Sequence, residues 1–177
     1  DAESEIITAT EVTAGNVGDA SAAEVLLADM LTKTDDAAPS EAKNEETKPE
    51  VYGDSSYGTA ELLDKLQRAG IEPNVKVQPP SARNGMFSQD AFDIDTKAGD
   101  VRCPAGVRVS LHMLNDGSSI ADFGGSCAEC PQRSQCTSSK SGRTIKLHPK
   151  HATLDRHRKR QRDDAWKEHY RKVRPRV

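Results

Sequence analysis

The chain has 177 residues, 34% of them apolar, with one Trp, three Tyr and three Phe, and a net charge of −3. The apolar share lies below the roughly 45–50% usual for globular chains, so part of the chain stands outside any large core, or something absent completes the core. No run of about 18 apolar residues exists to span a bilayer and no signal-peptide pattern opens the chain, which together point to the cytoplasm.

The small net charge hides an asymmetry. Residues 1–100 hold 8 Lys and Arg against 21 Asp and Glu, whereas residues 101–177 hold 17 against 7. Such a split fits a C-terminal part that meets a polyanion, and it equally fits two halves that complement each other.

In chain order, EIITATEVT alternates and is rich in β-branched residues, which predicts a strand at the very start. After the turn AGNVGD, Ser21 and Glu24 have capping-box spacing, and Leu26, Leu27, Met30 and Leu31 recur at helical spacing, predicting a helix over 20–32. Residues 34–50 are acidic, carry Pro and Ser, and lack large apolar side chains, so they read as a disordered linker. VYGDSSYG then hands a short strand to a helix over 59–69, with Leu62, Leu63, Leu66 and Ala69 as its buried stripe and Gly70 as its stop. NVKVQ predicts a further strand, and PPSARNG ends it. Strands alternating with helices favour an α/β arrangement with parallel neighbours.

Residues 86–148 change character. AFDID, DVRC, GVRVSLHML, IADF and RTIKLH are short alternating runs separated by TKAGD, NDGSS and SKSG, which predicts a small β-rich unit. It holds Cys103, Cys127, Cys130 and Cys136 in the spacing C-x23-C-x2-C-x5-C. One tight C-x2-C pair and a turn at CPAG suit a structural Zn²⁺ site, which would help hold a unit with little core. Buried reduced thiols and two disulfides are the other readings; the lack of a secretion signal disfavours the disulfides. His148 is a substitute ligand or an ordinary surface residue. From His151 the chain turns helical and basic, and residues 141–177 hold 13 Lys and Arg against 4 Asp and Glu. Trp166 reads as a helix anchor.

Asp54, at the junction of strand and helix, reads on its own as a turn or helix-capping residue. The ordered set VYGDSSYG, CPAG, SCAECPQRSQCTSS, GRTIKLHP and EHYRKVRPRV, however, resembles the C-terminal half of bacterial insertion-sequence transposases of the DDE (Asp-Asp-Glu) class, in the group whose catalytic domain carries a cysteine-bearing insertion. The resemblance implies a partial RNase H-like fold: a mixed sheet with flanking helices over 1–80, a β-rich cysteine-bearing insertion over 81–150, and a basic helical return over 151–177. It implies that Asp54 is the second catalytic acid and a Mg²⁺ ligand. The first acid is expected before residue 1. The glutamate is expected four residues after Arg174, just past Val177. Arg171 stands where the family often has a tyrosine, with Tyr170 beside it. Asp1, Glu3, Glu5 and Glu11 are not expected to be catalytic.

The implied reaction is metal-dependent DNA strand cleavage and strand transfer, with the complete enzyme assembled on double-stranded DNA as a dimer or larger. Arg156, Arg158, Lys159, Arg160, Arg162, Arg171, Lys172, Arg174 and Arg176 are then expected to meet DNA phosphates; a solvated helix face is the bland alternative. A chain with one of the three acids is expected to be inactive alone. A non-enzymatic, zinc-stabilised nucleic-acid-binding module and a decayed transposase remnant are the competing readings.

Overall fold

The computed structural model describes residues 7, 9–32, 48–82 and 84–174. The chain divides into two compact units, Asp1–Gln78 with Thr153–Val177, and Pro79–Ala152. Helices and sheets of both kinds occur, so the chain is a mixed α/β protein. No helix among the described residues is long and apolar enough to cross a membrane.

The first unit is built on two parallel strands, β1 (Glu50–Gly53) and β2 (Glu72–Val75), in the register Glu50↔Glu72 to Gly53↔Val75. Between them, α3 (Ala60–Arg68) starts where the Thr59 hydroxyl accepts the Leu62 N–H, and it ends at Gly70, whose φ of 69° suits a residue without a Cβ. Leu62 and Leu66 pack with Ala69, Ile71 and Ala23, while Leu63 packs with Val75 and Val77. Fully burying such leucines contributes about 1.5–3 kcal/mol each. The helix expected over 59–69 is therefore present.

Several neighbouring expectations need correction. Of the strand expected at EIITATEVT, Ala9–Thr13 lie in no strand, and residues 5, 6 and 8 lie outside the described residues. Ile7 and Val12 are 80% and 93% exposed, so no packed face holds an extended conformation there. The helix expected over 20–32 is broken at Leu27 into α1 (Ala23–Leu26) and α2 (Ala28–Thr32). Its capping box does not form: the Ser21 hydroxyl donates back to Gly18 O, and Glu24 pairs with Lys65. Residues 34–47 of the expected linker lie outside the described residues, and Glu50 belongs to β1. The strand expected at NVKVQ lies two residues earlier. Beyond Val75, β1 has turned away at Asp54, and Gln161 takes both backbone groups of Val77.

The basic C-terminal stretch forms two helices, α5 (His151–Arg160) and α6 (Asp164–Val173). The break falls at Asp163, whose carboxylate caps α6 by accepting the Trp166 N–H at 2.9 Å. Trp166 and Tyr170 are the buried residues of α6.

The second unit holds two antiparallel three-stranded sheets. One has the order β3 (Asp93–Asp95), β4 (Asp100–Arg102), β5 (Arg108–Ser110); the other has β6 (His112–Met113), β7 (Ser119–Asp122), β8 (Thr144–Leu147). Each expected strand run holds one or two of these strands, with β7 starting one residue ahead of its run. Phe92, Val101, Ala121, Phe123, Ile145 and Leu147 form the core with Cys127 and Cys136. The short helix α4 (Arg133–Cys136) delivers the last cysteine.

Candidate functional site

Asp54 sits one residue past the end of β1. Its Oδ1 accepts the Ser56 N–H at 2.8 Å, so the aspartate does close a turn. Its Oδ2 faces Arg174, with Nη2 at 3.7 Å, and the side chain is about half exposed. The turn reading and the outward carboxylate thus hold together, one oxygen each. The turn is wedged against β2: a Cβ on Gly58 would lie 2.1 Å from Lys76 O, so only glycine allows that approach. A cavity of about 290 Å³ flanks Asp54 and Arg174 and is otherwise lined by Leu26, Leu27, Val51 and Tyr52 among others.

Register partners of parallel strands share a face of the sheet. On the face of Tyr52 and Asn74, α6 is pinned at successive turns. Trp166 Nε1 donates to Asn74 Oδ1 at 3.0 Å, and the Tyr170 hydroxyl donates to Gly53 O at 3.0 Å. The two rings stack with centroids 5.0 Å apart. Arg174 is the next residue in that i, i+4, i+8 row and reaches Asp54. At the other end of β1, Tyr52 donates to Glu50 and shares a hydrogen bond with His169. Burial and the Glu50 carboxylate push the Tyr52 hydroxyl well above the usual phenol range. Burial likewise pushes Tyr170 upward, against the opposing pull of Arg174. Both stay protonated donors at neutral pH.

The basic residues fall into two groups. Arg156 donates to Gln67 Oε1 at 2.6 Å, Arg158 to Gln78 O at 2.9 Å, and Arg160 to Glu72, Pro73 O and Asn74 Oδ1. These arginines of α5 are anchors of the helix on the sheet and on α3. Lys159 and Lys172 are exposed and pair along their own helices with Asp155 and Glu168. Arg162 and Arg171 are exposed, Arg174 is half-buried, and Arg176 lies outside the described residues.

Cys103, Cys127, Cys130 and Cys136 are all free thiols, which removes the disulfide reading. All four line one cavity of about 20 Å³, enough for a single water-sized occupant. Cys127 Sγ accepts the Arg143 N–H at 3.4 Å. Arg143 also donates to Cys136 O and Phe87 O, and Arg133 donates to Cys127 O, so two guanidinium groups brace the cysteine loop. Burial pushes the Cys136 thiol up, and the neighbouring sulfurs push the same way. His148 is a turn residue whose Nδ1 accepts the Lys150 N–H. Among the described residues, no group of three or more His, Cys, Asp or Glu forms a set that could hold a metal ion. The cysteines share a cavity without forming a ready metal cage, and Asp54 supplies a single carboxylate.

Sequence reasoning missed Lys76, Asn74, Gly58 and His157. The period-2 spacing of Asn74 and Lys76 and the period-4 spacing of Trp166, Tyr170 and Arg174 were the signals available.

Residues 102–177 match the family model described as a transposase DDE domain. The match supports the resemblance to a DDE transposase. It covers the cysteine-bearing segment from Arg102 and both C-terminal helices, with Arg174; Asp54 lies outside it. No curated protein and no solved structure matches the chain.

Proposed function

We propose, from the premise that residues 102–177 belong to a transposase DDE domain, that the chain serves metal-dependent DNA strand cleavage and strand transfer, with Asp54 as one of three catalytic carboxylates. The carrying observation is the position of Asp54 at the carboxyl end of β1, where its free oxygen meets Arg174 at 3.7 Å. The glutamate that the resemblance sets four residues after Arg174 would continue the row of Trp166, Tyr170 and Arg174. The parallel pair with helices supports a partial RNase H-like sheet, and the β-rich unit is its cysteine-bearing insertion.

Asp54 alone does not hold a metal; it is one ligand of a set that needs further carboxylates. Asp54 would help hold Mg²⁺, which when bound would supply charge stabilisation for displacement at phosphorus. The protein's own share is positional. The Ser56 N–H and the Gly58 wedge fix the Asp54 carboxylate, the Tyr170 hydrogen bond fixes α6 against β1, and Arg174 sets positive charge beside it. Exposed Arg162, Lys159, Arg171 and Lys172 supply contacts to double-stranded DNA, while Arg156, Arg158 and Arg160 act through the fold. The complete enzyme works in the cytoplasm as an assembly of two or more subunits on its element ends.

In the second unit, Cys103, Cys127, Cys130 and Cys136 are the ligands of a structural Zn²⁺. Four soft donors on one small cavity, with an N–H donated to Cys127, support this. Small movements of the cysteine loop would have to close the cage.

Asp54→Asn in the complete transposase tests the reading: Mg²⁺-dependent strand cleavage should vanish while DNA binding stays. Retained cleavage would remove Asp54 from the catalytic set.

A further inference from the structure

We infer that Lys76 is a phosphate-contacting residue of the Asp54 site, holding a backbone phosphate of the DNA whose cleavage is proposed above; the inference rests on that proposal. Lys76 follows β2 as Asp54 follows β1, and its N–H donates to Gly53 O at 3.2 Å. Both residues come directly after the last register pair, Gly53↔Val75, and both side chains reach α6. Along α6, Tyr52 meets His169, Asn74 meets Trp166, Lys76 meets Tyr170 and Asp54 meets Arg174.

The charge of Lys76 is held without being neutralised. Its Nζ stands 4.9 Å from the centroid of the Tyr170 ring, whose hydroxyl is tied to Gly53 O. A cation–π contact restricts an ammonium and leaves its full charge for another partner. Lys65, Lys146, Lys159, Lys167 and Lys172 each pair with a carboxylate, whereas no carboxylate pairs with Lys76 among the described residues. The side chain is exposed. A carboxylate cluster repels a polyanion, so a phosphodiester beside it needs cations at the same rim. Lysine meets phosphate as a compact point charge. Arg174 faces Asp54, and Lys76 lies on Tyr170 one turn of α6 away, so both cations stand on the side of the sheet that the Asp54 carboxylate faces.

The test is the salt dependence of binding between the chain and a fluorescently labelled mixed-sequence DNA duplex, read by anisotropy. Each lost phosphate contact lowers the slope of log K against log salt by about 0.9. Lys76→Met keeps an aliphatic stem on Tyr170 and removes the charge; its slope should fall by about one contact. Lys76→Arg should keep the slope, and Lys65→Ala should leave it unchanged. Urea midpoints followed through Trp166 fluorescence should stay the same for all, which separates charge from folding. A Lys76→Met slope equal to that of the parent overturns the inference and leaves the transposase reading standing. A parent chain that binds no DNA overturns both.

Discussion

His157 is buried at 5% exposure in α5, and its Nε2 lies 2.9 Å from Gln67 Nε2. The orientation of that amide is not free. Gln67 Oε1 accepts from Arg156 Nη2, so the NH₂ group must face the imidazole, and the imidazole nitrogen must accept. His157 is therefore neutral, with its proton on Nδ1. Burial first, then the charges of Arg156 and Arg160, lower it from 6.5 to about 4, while Glu72 opposes weakly. Between these values the unfolded chain binds the proton and the folded chain does not, so stability falls as pH falls through the window. With the two values 6.5 and about 4, the loss between pH 7 and pH 5 comes to at most about 2 kcal/mol. Urea unfolding followed by Trp166 fluorescence at pH 7, 6 and 5 measures it in the unit that holds both residues. His157→Gln, which still offers an acceptor to Gln67, should flatten the profile over that range. Parallel losses in parent and variant would refute the buried, neutral histidine.

Other outcomes follow from the geometry. Gly58→Ala forces a Cβ to within 2.1 Å of Lys76 O, and should cost about 1–3 kcal/mol in urea unfolding; an unshifted midpoint would contradict the wedge. Asn74→Ala leaves Trp166 Nε1 and part of Arg160 without their acceptor, for a loss of about 1–3 kcal/mol and a changed Trp166 emission; unchanged emission would remove Asn74 as the anchor of α6. Purified protein should carry close to one equivalent of Zn²⁺, and its removal by a chelator should expose four titratable thiols and loosen the core around Phe92 and Phe123; metal-free protein with four free thiols and an intact core would sink the zinc proposal. The chain by itself should neither cleave nor join DNA in Mg²⁺, because it brings one of the three expected carboxylates; activity would show that other acids complete the site.

Where local chemistry decides, the sequence was readable. The stripe Leu62, Leu63, Leu66 with Gly70 as stop became α3, and the alternating runs of residues 91–147 became six short strands. Long-range partners decided the rest. Glu24 left its cap for Lys65, 41 positions further along the chain, and Gln161 ended β2 early. The arginines of α5 read as one basic run, but Gln67, Glu72, Asn74 and Gln78 divide them by function, and none of those pairings leaves a mark in sequence. The turn role of Asp54 was readable in VYGDSSYG. That its two oxygens split between a turn and an arginine required the fold.

The clasp of Gln161 on Val77 decides where the parallel pair can grow. One carboxamide donates to Val77 O and accepts from Val77 N, both at 2.9 Å, as a neighbouring strand would. Pro73 brings no N–H to the outer margin of β2, and its carbonyl is taken by Arg160. With Pro73 and Val77 so occupied, that margin is a poor template for a stray strand or a second chain, and a further strand is favoured along β1, the side on which Asp54 leaves the sheet.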